Sequence, residues 1–308
     1  MTRILVSRAA VGALLLMLPG SCLGPASRLP LEPRGFAAAA TPGTIAANPG
    51  PPAPLFPANS FVLPLPPQQG LAMVAAAPAG TQAVTLDGAS LRVTDNGQFL
   101  LAFDRDAPPV ATLGATLADG RMVTMMLSVA AGRWRIEQVN APWRGGAGND
   151  AEFARRRPAE LTQINAARRT AANSGGWQQS FVWPVRGRLS GFFGSQRVYQ
   201  GKPGSYHSGL DIAAPGGTRF VAPADGIVVL AAAAPFTLEG NLLIVDHGMG
   251  LTSAFLHAAR LDVTTGQVVR QGEPLGAVGA TGRATGPHLH WGMRWRQAKI
   301  DPLLLLPR

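Results

Sequence analysis

From Gly70 onward the hydrophobic residues fall into short runs broken by turn-forming pairs. The runs TQAVTLDG, ASLRVTDNG, QFLLAFDRD, RMVTMMLSV and RWRIEQV are punctuated by Asp87-Gly88, Asn96-Gly97 and Asp119-Gly120. An Asx-Gly pair supplies the positive φ of a tight hairpin, so apolar runs of this length between such pairs predict antiparallel strands. Together they predict a small β-sandwich-like domain over residues 68–140. It contains no histidine and its acids sit mostly in turns, so no catalytic constellation is expected there.

The pattern then changes. In DAEFARRRPAELTQINAARRTAAN, Leu161 and Ile164 stand at helical spacing and Gly175-Gly176 is a stop, which predicts a helical connector over 141–176 with arginine on its exposed face. From Trp177 the short runs return, as LDIAAP, RFVAPADG, IVVLAA, NLLIVDHG, LTSAFLH, EPLGAVG and HLHWGMRW, each bounded by Gly or Pro. They predict a second, larger β domain over 177–308, so the fold class is all-β with one helical linker. Residues 41–67, rich in Pro and Ala, cannot bury a continuous face and read as an extended linker.

Composition adds limits. A 46% hydrophobic fraction against 14% charged residues is ample for real cores in a 308-residue chain. The net charge of +10 is nearly all arginine, Lys202 and Lys299 being the only lysines, and favours anionic surroundings such as cell-wall polymers or lipid head groups. No nucleic-acid motif accompanies it, and apart from Arg155-Arg156-Arg157 and Arg168-Arg169 the arginines are dispersed, so no specific nucleic-acid partner is expected. Arg3 and Arg8 precede an apolar run from Ala9 to Leu18, the pattern of an export leader, placed at 1–40 and implying a periplasmic or envelope location. Two processing sites compete: the A-x-A of Ala38 and Ala40, and a lipoprotein-like box at Cys22 that would anchor the chain to a membrane. Cys22 is the only cysteine, which excludes an intrachain disulfide and leaves any metal to His and carboxylate.

All five histidines, His207, His247, His257, His288 and His290, lie in the last domain. Residues two apart on a strand share a face, so His288 and His290 of TGPHLHW present their imidazoles side by side. Alone, that pair fits two hydrogen-bonded histidines as well as a metal site. His207 and Asp211, four apart in SYHSGLDIAAP, also share a face of extended chain, with Gly209 between them to keep it uncrowded. Alone they fit an ion pair equally well; with the second pair they make a donor set suited to zinc.

The series His207-x-x-x-Asp211, Ile212-Ala-Ala-Pro-Gly-Gly-Thr218, VDHGMG, a strand ending at His257, and GATGRATGPHLHW resembles the lysostaphin and LytM type of peptidoglycan zinc endopeptidase, over about Trp183 to Pro307. The resemblance implies a compact β-rich domain with an open groove across one sheet. It implies that His207, Asp211 and His290 bind zinc while His257 and His288 act beside it as proton carriers, with peptidoglycan as the partner. It also suggests Arg197 and a tyrosine, Tyr199 or Tyr206, on the substrate side. His247 matches a position outside the metal set and reads as a turn residue closing a hairpin. Where the family frequently has HLHFE, this chain has His288-Leu-His290-Trp291-Gly292, without the carboxylate. A non-catalytic regulator of another wall hydrolase is the alternative, and the complete set of five residues favours the enzyme.

Overall fold

The structure is a computed structural model and describes residues 59–142 and 151–307. All of these fall in one of the chain's two units, Asn48–Arg308. The leader and Cys22 lie outside the described residues.

In the first part of the described chain, Ala72–Ala76 pairs with Gln98–Ala102, and a four-stranded antiparallel sheet runs in the order Ala89–Leu91, Thr81–Leu86, Val110–Leu117, Met122–Ser128. In Val110–Leu117, Ala111, Leu113, Ala115 and Leu117 are buried while the intervening residues are not, which is the period of a strand with one covered face. Alanines and Gly114 make this run weakly apolar, which is why it escapes the sequence reading. The fold also begins before Gly70: Phe61 is buried against Phe99, and Val62 bridges Ala76 within the stretch expected to be linker.

This β region is joined to the C-terminal part of the chain. Ile136–Val139 pairs in parallel with Gln196–Tyr199, so one sheet draws strands from either side of the helix. Buried Arg105 donates through Nε and Nη2 to Gly194 O at 3.2 and 3.1 Å, and through Nη2 to Gln196 Oε1 at 2.9 Å. Helix α1, Ala151–Arg169, buries Glu160, Ile164 and Ala167 and leaves Leu161 exposed, a rotation from the face expected from sequence. Ile164 and Ala167 pack on Phe236, Leu242 and Ile244. Polar contacts fix the helix further: Arg157 grips Glu239 with two bonds of 2.6 and 2.9 Å, and Glu160 accepts from Thr237 N and Oγ1 at 2.8 and 2.7 Å. Arg155 and Arg169 face solvent, whereas Arg156, Arg157 and Arg168 are half-buried, so the arginines do not form a single solvated face.

The larger sheet consists of β1 (Arg188–Gly191), β2 (Leu210–Ala213), β3 (Gly226–Ala231), β4 (Asn241–Asp246), β5 (Leu251–Ala258), β6 (Val268–Val269), β7 (His288–Trp295) and β8 (Ala298–Ile300). The order is β6-β3-β4-β5-β7-β2-β1, every neighbour antiparallel, with β8 also pairing β7. In β7, Leu289, Trp291, Met293 and Trp295 are buried on one face, which puts His288, His290, Gly292 and Arg294 in a row on the other. That inner face packs towards a three-stranded sheet of Arg219–Val221, Pro274–Ala277 and Arg260–Leu261, with Phe220, Phe255, Leu275 and Trp291 fully buried in the same core.

Candidate metal centre

Strands β2 and β7 are neighbours, and their register sets Asp211 directly opposite His290 and Ala213 opposite His288. Directly opposed residues share a face with Cβ atoms about 4.5–5.5 Å apart, so strand pairing alone delivers the carboxylate to the imidazole. His207 comes from the segment before β2 and is pinned by its backbone, which donates to Ser195 O at 2.8 Å and accepts from Gly194 N at 2.9 Å. Two glycines leave room. A Cβ at Gly191 would stand 2.2 Å from Asp211 Oδ2, and one at Gly209 2.6 Å from His290 Nε2.

Three donor atoms meet. His207 Nε2 lies 3.0 Å from Asp211 Oδ1 and 3.1 Å from His290 Nδ1, and His290 Nδ1 is 2.8 Å from Asp211 Oδ1. Nδ1 of His207 is 3.1 Å from Phe192 O, which can only accept, so in the neutral ring the proton sits on Nδ1 and Nε2 turns a lone pair towards the other two groups. Lone pairs converging on a carboxylate repel unless a cation or proton lies among them. Burial resists charge on His207, but its bond to Asp211 pushes its pKa up; burial likewise resists charge on Asp211, yet the bonds from His207 and His290 hold its carboxyl far below the usual range. Burial pushes His290 down, towards the neutral form a ligand requires. Two nitrogens and a carboxylate oxygen in this arrangement fit zinc with a coordination position to spare.

Two more imidazoles flank the set. His257 Nδ1 donates to Thr281 O and His288 Nδ1 to Gly286 O, both at 2.8 Å, so in each neutral ring Nε2 is left as an acceptor. The rings stand 4.8 Å apart, and His288 Nε2 is 3.7 Å from Asp211 Oδ1. Burial pushes the His257 pKa down. Its position depends on a break in the strand. Leu256 pairs with His290 and shares its face, so strict alternation would turn His257 away. A register shift between Asn241 and Leu243 and a positive φ of 65° at His257, uncommon for a residue with a side chain, bring it back beside His288.

The site lies where two cavities of about 540 and 970 Å³ adjoin, both lined by Tyr206, His207, Asp211 and Thr285. Arg197 and Tyr199 line the larger one. Arg197 is exposed and paired with Glu137 at 2.7 Å, and that contact pushes its pKa up. The Tyr206 hydroxyl is turned to Asp104 Oδ1 at 3.3 Å, with Arg105 and Lys299 over its ring, so it is engaged away from the donor set. His247 lies farther off and is fully buried. Its Nδ1 donates to Asp225 O at 2.8 Å and its Nε2 accepts from Ser253 Oγ at 2.8 Å, the hydroxyl that accepts from Trp291 Nε1 at 3.1 Å. This chain of bonds reaches well beyond a hairpin turn and fixes the strand that carries His290. Sequence reasoning passed over Phe192, Thr281 and Gly286, because they act through backbone carbonyls that any residue type supplies.

Residues 205–302 match the model of peptidase family M23. The likeness to this family covers about a third of the chain. The chain is 39% identical over 134 residues to the cell division protein DipM of Caulobacter vibrioides, covering 42% of this chain and 21% of DipM. It is 36% identical over 135 residues to the peptidoglycan DD-endopeptidase ShyA of Vibrio cholerae, covering 42% of this chain and 31% of ShyA. The aligned stretch thus spans about a fifth to a third of these relatives. A solved peptidase M23 structure from Pseudomonas aeruginosa superposes with a TM-score of 0.60 at 29% identity, over 79% of this chain and 96% of that one. That coverage extends beyond the M23 region into the residues before it. The M23 strand β7 departs from the frequent HLHFE pattern at Trp291 and Gly292: the indole is buried, and Gly292 leaves the groove floor bare beside His290.

Proposed function

We propose that the chain is an exported zinc metalloendopeptidase that hydrolyses peptide bonds in peptidoglycan stem peptides or cross-bridges. The observation that supports this most is the meeting of His207 Nε2, His290 Nδ1 and Asp211 Oδ1 within 3.1 Å of one another. Similarity to an endopeptidase of peptidoglycan in Vibrio cholerae and the basic charge of the chain support the substrate class. His207, Asp211 and His290 would hold zinc, which would supply polarisation of the scissile carbonyl and a lowered pKa for water at the site.

The remaining chemistry belongs to the chain. His257 and His288, fixed by Thr281 O and Gly286 O, each hold an unprotonated Nε2 beside the donor set. One accepts a proton from the attacking water, stabilises negative charge on the carbonyl oxygen while its ring is protonated, and then gives the proton to the leaving amine. Arg197 and Tyr199, on the wall of the 970 Å³ cavity, bound the substrate on that side. The leader pattern and this substrate class support a periplasmic or cell-envelope location, with Cys22 as the alternative membrane anchor.

Isolated sacculi incubated with the purified chain test this reading. Mass spectrometry should find peptide-bond cleavage products, absent with a chelator and absent for His207→Ala. His288→Ala and His257→Ala should retain zinc yet cleave at least about 100-fold more slowly, the usual range for a proton-transfer residue. Unchanged sacculi with zinc present would reject the enzyme and favour a regulator.

A further inference from the structure

The 540 Å³ cavity extends from the donor set to a place the peptidase chemistry does not use. Along β7, His290, Gly292 and Arg294 lie on one face, and Arg294 stands four residues, about 14 Å of extended chain, from His290. The floor between is low: Gly292 has no side chain, and its partner across the sheet on β5 is Ala254, with Thr252 opposite Arg294. On the other side Arg294 is directly opposite Lys299 of β8. Arg168 of helix α1 lines the same cavity.

Three cations therefore converge on a recess whose own carboxylates, Asp211 and Glu239, are engaged by other partners. Like charges set directly opposite on a sheet destabilise it, and nothing here relieves them fully. Asp104 is nearby, but its carboxylate is engaged by the Lys299 backbone N–H at 2.7 Å and by the Tyr206 hydroxyl. Glu239 lines the cavity but is held in the bidentate pair with Arg157. Arg168 makes no hydrogen bond or ion pair among the described residues; Arg294 donates through Nη2 to Gln297 O at 3.0 Å, and its Nε is a buried donor without a partner there. Burial pushes Arg168 down to about 10 and also lowers Arg294 and Lys299; neighbouring cations add to the effect on Arg168 and Lys299, while Glu239 beside Arg168 and Asp104 beside Arg294 and Lys299 offset it only in part. Guanidinium groups are the forks that carboxylates occupy bidentately, and a buried donor left unmade is costly.

We infer that Arg168, Arg294 and Lys299 form a carboxylate-binding subsite in the groove, which anchors an acidic peptide while a bond about four residues' length of strand away lies over the His207, Asp211 and His290 set. The inference rests on the peptidase reading for the nature of the ligand and deepens it by naming a charge requirement. The anchoring carboxylate has two sources, an acidic side chain or a free C-terminus.

The test uses the full zinc-loaded chain and the peptide Ala-Glu-Lys-Ala-Ala in four forms: with Glu or Gln, and with a free or amidated C-terminus. Isothermal titration should show a roughly tenfold loss of affinity when the anchoring carboxylate becomes an amide, a fold-change typical of one charged hydrogen-bonding contact, and whichever exchange causes it identifies the source. Arg294→Met, Lys299→Met and Arg168→Met should each reduce the preference towards unity, with thermal melts confirming folding; Arg168, on the helix, serves if the sheet variants unfold. The preference should persist in His207→Ala, which separates the subsite from direct coordination by the ion. Equal affinity for all four forms, or an undiminished preference in all three folded variants, overturns the subsite. Acid-selective binding with no cleavage of sacculi would overturn the peptidase reading and keep the subsite; cleavage with charge-blind binding would do the reverse.

Discussion

Three of the four imidazoles at the site are oriented by an acceptor that cannot donate. Phe192 O, Thr281 O and Gly286 O take the Nδ1 protons of His207, His257 and His288, so the reactive nitrogen of each is decided by backbone geometry before any ligand arrives. His247 uses the same device for a different end. Burial pushes its pKa down to about 4, against about 6.5 in an unfolded chain. Between those values the unfolded chain binds a proton that the folded one refuses, so this contribution to stability is complete above about pH 6.5 and declines as pH falls towards 4. The loss amounts to about 3 kcal/mol at most. Asp246, raised by burial, works in the opposite direction, and comparison with a variant cancels it. Denaturant titrations at pH 7, 5.5 and 4.5 should therefore show a shallower loss of stability in His247→Gln than in the parent chain. Equal slopes would mean that His247 does not stay neutral on folding.

Strand alternation carries most of what could be seen from sequence. In HLHWGMRW the apolar residues Leu289, Trp291, Met293 and Trp295 declare one face, and the two histidines follow on the other, so their shared face was legible, whereas the pairing of His290 with Asp211 needed the strand order. His257 was placed by resemblance alone, because a bulge and a left-handed residue reverse the face that alternation assigns it. Helix α1 shows the limit of spacing. Leu161 and Ile164 carry the apolar signal, but the pairs Arg157–Glu239 and Glu160–Thr237 decide the rotation, and they are polar contacts with residues 82 and 77 positions away. Ile164→Ala should destabilise the protein by about 2–5 kcal/mol, whereas Leu161→Ala should stay within about 0.5 kcal/mol. Urea titration of the two variants checks this, and similar costs would contradict the observed face.

At the scale of the whole molecule, the two β regions share strands and polar contacts. Ile136–Val139 completes a sheet with Gln196–Tyr199, and Arg105 reaches Gly194, whose backbone in turn holds His207. The first region thus bears on the position of His207, one of the three converging side chains, a coupling that no local pattern reveals because both partners are unremarkable in sequence. A sequence with Gly and Pro at every turn states where strands begin and end, but parallel pairing across a helix depends on the path of the intervening chain. The proposed chemistry depends on one point in this framework. Anomalous diffraction at the zinc edge, from crystals of the full chain grown with zinc, locates the ion directly. A peak within about 2.0–2.2 Å of His207 Nε2, His290 Nδ1 and an Asp211 oxygen is the expected result. Zinc bound elsewhere, with these three side chains free of it, would contradict the account.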